Sequence, residues 1–149
     1  MSYNSVESAL ATIIKKASGY SATNVAQGDY RVLAKGNAKA VILQPGAFIR
    51  SQAAESWKRS QWNVNVEIYI AFGGEISTVA GNIRTERQSI IDKIDQYPTL
   101  DSASGVVLAE LAGGGEPEMW QIGAQQFWKQ VMICRVEERA LINVQEDPY

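Results

Sequence analysis

The chain of 149 residues contains no histidine and a single cysteine. Without histidine, the usual general base and the usual zinc ligand are both missing, so nothing points to a serine–histidine triad or a zinc site. The lone Cys134 cannot form an intrachain disulfide, and its apolar segment favours a buried thiol. Glu116 and Glu118 lack the spacing of a calcium loop. We therefore expect no metal, no cofactor, no catalytic residue and no enzymatic activity.

Strong charge and long apolar runs are also missing. The net charge of −2 argues against a protein that grips nucleic-acid phosphates, which requires a concentrated basic surface. Uninterrupted aliphatic runs such as Ala40–Leu43 are far shorter than the roughly 20 residues of a membrane-spanning helix. A hydrophobic content of 46% suits one globular domain over residues 1–149, with a polar, loose tail at about 144–149.

The first half of the chain predicts one helix and one central strand. A helical apolar period runs from Ser5 to about Ala17, with Asn4 as a possible N-cap. Asp29–Leu33 fits either a short strand or a helical turn. Ala40–Leu43 is short, β-branched and apolar on both faces, which favours a central strand that Pro45-Gly46 turns or bulges.

The segment Trp62–Phe72 alternates between apolar and polar residues, as expected for a strand covered on one side. We interpret the polar stretch before it, Arg50–Ser60, as a loop. The polar face of this strand carries Asn63, Asn65 and Glu67, and it is either solvated or the wall of a ring or channel.

A long amphipathic helix is predicted after Gly73-Gly74, from about Ile76 or Ser77 to Gln96, and Pro98 ends it. Arg87 falls in the middle of its apolar stripe. Its guanidinium either pairs within the fold, with Glu67 or Glu110, or extends past the sheet edge, or faces a neighbouring subunit.

Two further strands, Val106–Leu111 and Phe127–Glu137, predict an extended hairpin. The Gly-Gly-Gly-Glu-Pro-Glu segment between them is interpreted as a flexible acidic tip, since it lacks the Lys-Ser/Thr of a phosphate loop. The fold class is α+β: a mainly antiparallel sheet with two helices on one face and a long C-terminal hairpin. The candidate interface residues are Arg87, Gly113, Gly114, Gly115, Glu116 and Glu118.

This order of elements resembles the tail terminator, or tail completion, proteins of long-tailed bacteriophages. The resemblance is carried by Ala40–Gly46, the tryptophan-led strand Trp62–Phe72, the helix Ile76–Tyr97 closed by Pro98, and Phe127–Val136. Together these segments cover most of the chain.

The resemblance implies a structural protein that forms a hexameric ring on the last ring of the tail tube. Such a ring halts tube polymerisation and presents a surface to the head-completion, or connector, proteins. DNA passes through the central hole without specific binding, and no membrane is involved. The implied location is the virion tail or neck, with assembly in the host cytoplasm.

Two other functions remain open from the residues. One is another neck or head–tail connector protein with a related fold. The other is a small α+β enzyme or ligand-binding module, in which Arg87 and the apolar stripe around it would mark a pocket. The sequence does not fix the ring stoichiometry, the host, or which residues face a lumen or a neighbour.

Overall fold

The computed structural model describes residues 3–54, 57–72, 76–103 and 105–141, and for 52–54, 57, 76–80 and 141 it describes the backbone alone. The sequence features at Gly73-Gly74 and in the tail at 144–149 lie outside these residues.

Six strands form one mixed sheet in the order β1-β2-β3-β6-β4, with β5 beside β6. The β1–β2 pair is parallel and the other pairs are antiparallel, which confirms the predicted α+β class with a mainly antiparallel sheet. The elements are α1 (Tyr3–Ile14), β1 (Val25–Gln27), a 3₁₀ helix (Tyr30–Lys35), β2 (Lys39–Ala54), β3 (Trp57–Ala71), α2 (Ile76–Asp95), β4 (Val106–Gly114), β5 (Glu118–Ile122) and β6 (Gln125–Leu141).

Both α-helices cover the same face of the sheet. Three alternating residues of β3 on this face, Val64, Val66 and Ile68, are fully buried in one core with Ile90 and Ile94 of α2 and Leu10 of α1. The alternation and the helical period therefore predict the main core correctly. Of the helices in the described ranges, none combines the length and apolar composition needed to cross a bilayer.

The first helix is shorter at its C-terminal end than its apolar period suggests. It begins at Tyr3, so Asn4 lies within the helix and is not its N-cap, and it ends at Ile14. Beyond that point the N–H of Ala17 donates to the carbonyl of Ile14, a three-residue spacing that tightens the last turn. For Asp29–Leu33 the helical alternative is correct, because Asp29 caps the 3₁₀ helix.

The predicted loop Arg50–Ser60 is wrong. Strand β2 continues to Ala54 and β3 starts at Trp57, so the two strands form a long hairpin. Polar side chains at 50, 51, 58 and 59 are exposed, and the apolar alternation that marks a half-buried strand is therefore missing there. The predicted irregularity at Pro45-Gly46 is confirmed as a shift of register between Pro45 and Phe48.

The Gly-Gly-Gly-Glu-Pro-Glu segment is not the tip of a hairpin. Strands β4 and β5 both pair with the same side of β6, and the segment joins them halfway along it. The tight turn lies instead at Gly123-Ala124, between β5 and β6. The short strand Glu118–Ile122 was missed because three of its five residues are exposed and none is fully buried.

We expect Ile90→Ala to destabilise the fold by roughly 2–5 kcal/mol, because it leaves a cavity between α2 and the sheet. Ile90 is fully buried in the main core. Urea unfolding followed by circular dichroism measures the change in free energy. The matched control is Asn82→Ala on the exposed side of α2, which we expect to stay near the wild-type value. Equal stability of the two variants would contradict the helix packing.

Candidate interaction site

A groove runs between α2 on one side and the β4–β5 connection on the other, with β6 as its floor. It consists of two adjoining cavities of about 360 and 330 Å³, and Arg87 lines both. We call it the α2 groove. Its lining residues are Ile83, Arg84, Arg87 and Ile91 of α2, Leu111, Gly113 and Gly114 of β4, Gly115, Glu116 and Pro117 of the connection, and Trp128, Gln130 and Met132 of β6.

The predicted pairing of Arg87 with Glu67 or Glu110 does not occur. Glu110 pairs with Arg135 on the opposite face of the sheet. Glu67 is hydrogen-bonded by two tyrosines. Within the described ranges, the side chains of Arg84 and Arg87 form no ion pair or hydrogen bond. The groove therefore carries two guanidinium groups whose charge no described carboxylate neutralises.

Gln130 supplies a second polar group to the same groove. It lies between Trp128 and Met132 in the row of β6 residues that faces α2, and only 4% of it is exposed. Its Nε2 donates to the carbonyl of Gly115 at 3.1 Å. Its Oε1 is buried and accepts no hydrogen bond from the described residues. Burying an amide oxygen without a hydrogen-bond donor costs free energy, so a ligand that donates a hydrogen bond to this oxygen would bind favourably.

The glycines on the rim allow the connection to approach β6 closely. A Cβ on Gly114 would lie 2.8 Å from the carbonyl oxygen of Val131. The N–H of Gly115 donates to that same oxygen at 2.9 Å. Larger residues at 114 would push this rim away from β6 and widen the groove.

Five of the six candidate interface residues therefore line the α2 groove: Arg87, Gly113, Gly114, Gly115 and Glu116. Glu118 does not, because it begins β5 opposite Lys129. Sequence reasoning missed Arg84 and Gln130. The signal for Gln130 was present, since an amide interrupts an otherwise apolar row between Trp128 and Met132.

The three candidate lumen residues have different environments. Asn63 and Asn65 lie on the sheet face opposite the helices and are partly exposed. Glu67 lies on the same face but is only 7% exposed, so it does not face a lumen within this chain. A small second layer, built from the 3₁₀ helix and β5, covers that end of the sheet. At that end the face is covered, so neither of the two interpretations, a solvated face or the wall of a ring or channel, applies to Glu67.

Glu67 is the centre of a buried polar cluster in this second layer. Its Oε1 accepts hydrogen bonds from the hydroxyls of Tyr30 at 3.0 Å and Tyr69 at 2.9 Å. The Lys129 ammonium lies 3.8 Å from Oε2 and 5.3 Å from the Trp120 ring centre. Burial, followed by the hydrogen bond to Glu67, raises the pKa of Tyr69 far above its usual range. The cluster links the 3₁₀ helix, β3, β5 and β6.

No protein-family model matches the chain, and no curated protein matches it significantly.

Replacing Glu67 tests whether it has a structural role. We expect Glu67→Ala to cost about 3–5 kcal/mol of unfolding free energy, because Lys129 loses its buried counter-charge and two hydroxyls lose their acceptor. Glu67→Gln keeps a carbonyl acceptor and should cost clearly less. Urea unfolding of both variants measures the difference. Loss of stability below 1 kcal/mol in Glu67→Ala would contradict the buried cluster.

The single thiol gives a pH-dependent test of the core. Burial, with a smaller contribution from Glu110, raises the pKa of Cys134 from 9.0 to about 12. At pH 8 its thiolate fraction is then roughly a thousandfold below that of an ordinary cysteine. We expect Cys134 to resist a thiol-reactive chromogenic disulfide at pH 8 and to react fully in urea. Rapid reaction of the folded protein would show that the thiol is accessible.

Proposed function

We propose that this protein is a structural, non-enzymatic subunit that forms a ring and terminates the tail tube of a long-tailed bacteriophage. In this role the ring stops tube growth and joins it to the head-completion proteins. It acts in the virion neck and assembles in the host cytoplasm. The observation that carries the proposal is that the sheet has two different open edges, one formed by β2 and the other by β4.

One open edge belongs to β2. Its pairing with β1 covers only Val41–Leu43, and beyond that point no described strand lies on its outer side. Phe48 and Ile49, each 61% exposed, lie on this uncovered part. An exposed strand edge with apolar side chains readily pairs with another chain unless it is covered.

The other open edge belongs to β4. Outside its ladder with β6, the described residues provide two backbone hydrogen bonds to this strand, in which Val106 donates to the carbonyl of Ala103 and Ala109 donates to the carbonyl of Pro98. Val107 and Leu108 are 42% and 39% exposed there. Contacts between two different edges are heterologous, and they generate a closed ring when the rotation between copies closes. This geometry favours a ring over a two-fold dimer.

The uncovered part of the outer sheet face supports passage of DNA in the proposed ring. Asn63 and Asn65 lie there, together with the ion pair of Arg135 with Glu110. A polar surface of paired charges and amides is wettable and offers no concentrated basic patch for phosphates. We therefore retain Asn63 and Asn65 as candidate lumen residues and remove Glu67 from that set.

A ligand-binding module is the second candidate function, and the α2 groove favours it. The groove combines apolar walls with a few convergent polar groups, as small-molecule sites do. A ring position elsewhere in the neck is the related alternative within the structural class. Solution mass separates the module from the rings, and tube binding separates the two ring positions.

We expect light scattering over a wide concentration range to detect a species near six times 16.3 kDa. Ile49→Lys should shift the protein towards the monomer, because it places a charge on the apolar open edge of β2. Asn82→Lys adds the same charge on α2, away from both edges, and should leave the mass unchanged. A strict monomer at all concentrations would contradict a preformed ring and favour the ligand-binding module.

Electron microscopy of the protein mixed with isolated tail tubes of the source phage tests the terminator role. We expect extra density at one end of each tube and no further growth when tube protein is added. Ring formation without tube binding would favour another connector position.

A further inference from the structure

The α2 groove contains two kinds of polar group that lack a partner among the described residues: guanidinium groups and an amide oxygen. Arg84 and Arg87 have no anionic partner in the described part of the chain, and the Oε1 of Gln130 has no donor. Together they call for a ligand that carries negative charge and a hydrogen-bond donor. An acidic peptide segment supplies both, since its carboxylates pair with guanidinium groups and its backbone N–H groups donate.

Glu116 lies at the rim but does not neutralise the arginines. It lines the same cavity as Arg84 and Arg87, yet forms no ion pair with either. It is exposed at the surface. The positive charge of the groove is therefore available to an incoming segment, and Glu116 restricts how that segment enters by repelling carboxylates at this end.

The chain itself contains one acidic segment suited to this groove. Adjacent carboxylates occur in the sequence only at Glu137-Glu138 and at Glu146-Asp147. Glu137 pairs with Arg59 and Glu138 is buried, so the first pair is committed to β6. Glu146 and Asp147 follow the end of β6 and stand next to Pro148 and Tyr149.

The position of these acids separates them from Gln130 of the same copy. Asp147 is six residues beyond Leu141, so it reaches at most about 20 Å from the end of β6. Gln130 is eleven residues before Leu141 on the same strand, which is about 36 Å away. The carboxylates of one chain therefore fall well short of Gln130 in its own groove, and a second copy can bring them to the arginines and to Gln130 together.

We propose that the α2 groove binds residues 145–149 of a second copy of this chain, with Arg84 and Arg87 pairing to Glu146 and Asp147. A backbone N–H of the segment donates to the Oε1 of Gln130, and Ile83, Ile91 and Met132 supply apolar contact. This inference rests on the proposed self-association and not on the tail-tube role.

A peptide titration tests the groove without requiring a ring. The receptor is the full chain with Glu146→Gln and Asp147→Asn, so that its own segments do not compete. The probe is a fluorescently labelled peptide of residues 142–149, followed by anisotropy. We expect saturable binding that weakens with salt, and roughly tenfold or greater loss of affinity for a peptide with both acids neutralised.

Two arginine variants of this receptor locate the binding. Arg84→Gln with Arg87→Gln should lose at least roughly tenfold in affinity. The matched control is Arg50→Gln, which removes an exposed arginine of β2 outside the groove and should bind as the parent does. Equal binding of the neutral peptide, or equal loss in the Arg50→Gln control, would overturn the inference and indicate an apolar or non-specific contact.

A charge-swap mixture tests the same contact in the intact protein. One chain carries Arg84→Glu and Arg87→Glu, and the other carries Glu146→Lys and Asp147→Lys. We expect each chain alone to associate less than wild type and the equimolar mixture to recover, because each groove then meets a segment of opposite charge. Recovery also excludes misfolding of either variant.

The outcomes separate this inference from the proposed function. If each charge-swapped chain alone still forms rings as the wild type does, the groove contact is overturned but the proposed ring is not. Peptide binding by a protein that never forms rings would support the groove contact and count against the ring. Absence of peptide binding at any accessible concentration would overturn the inference.

Discussion

The pairing of β3 with β6 is the interaction on which the rest of the structure depends. The two strands stay in register from Trp57 opposite Leu141 to Ala71 opposite Phe127, without a bulge. Because β2 occupies the other side of β3, this strand is hydrogen-bonded on both sides and its alternation is fixed. The apolar row of β3 then lies under α2, and the remaining strands lie outside it. The groove and the open edges take their positions from this one register.

The two faces of the sheet are stabilised in different ways. The helix face depends on apolar burial, with residues such as Ile68, Ile90 and Cys134 fully enclosed. The opposite face is covered only at one end, where Glu67 ties the 3₁₀ helix and β5 to the sheet through Tyr30 and Tyr69. The outer face is thus divided into a closed end and an open end, where Asn63, Asn65 and the ion pair of Arg135 with Glu110 are partly exposed to solvent.

The sequence predicts the elements whose periodicity reflects one-sided burial. The apolar alternation of β3 and the 3.6-residue stripe of α2 therefore led to the correct fold class and to the bounds of α2 within one residue. The β2–β3 hairpin beyond the core was missed, because strands exposed on both faces carry no alternation. The role of Glu67 was also missed, since its partner Tyr30 lies in the 3₁₀ helix, 37 residues away in the sequence. Composition does not reveal such a non-local arrangement.

For the candidate site, the sequence identified the unusual residue but not its surroundings. Arg87 stood out because it interrupts an apolar stripe, and it does line the groove. Its expected partners were wrong, because Glu67 pairs with Lys129 and Glu110 pairs with Arg135 on the other face of the sheet. Charge pairing depends on side-chain geometry across strands, and a linear pattern does not contain it.

The long β3–β6 register also sets the order in which the chain can fold. Its paired residues are separated by 56 to 84 positions, from Ala71 with Phe127 to Trp57 with Leu141. Such distant contacts make folding slow, because the entropy cost of closing a large loop comes before the favourable free energy of strand pairing. While the chain is being synthesised, β3 has β2 as a partner but an unpaired second edge until the last strand emerges from the ribosome. The nascent protein therefore passes through a stage in which the apolar row of β3 belongs to a strand paired on one side only, and such an unpaired strand edge is prone to aggregation.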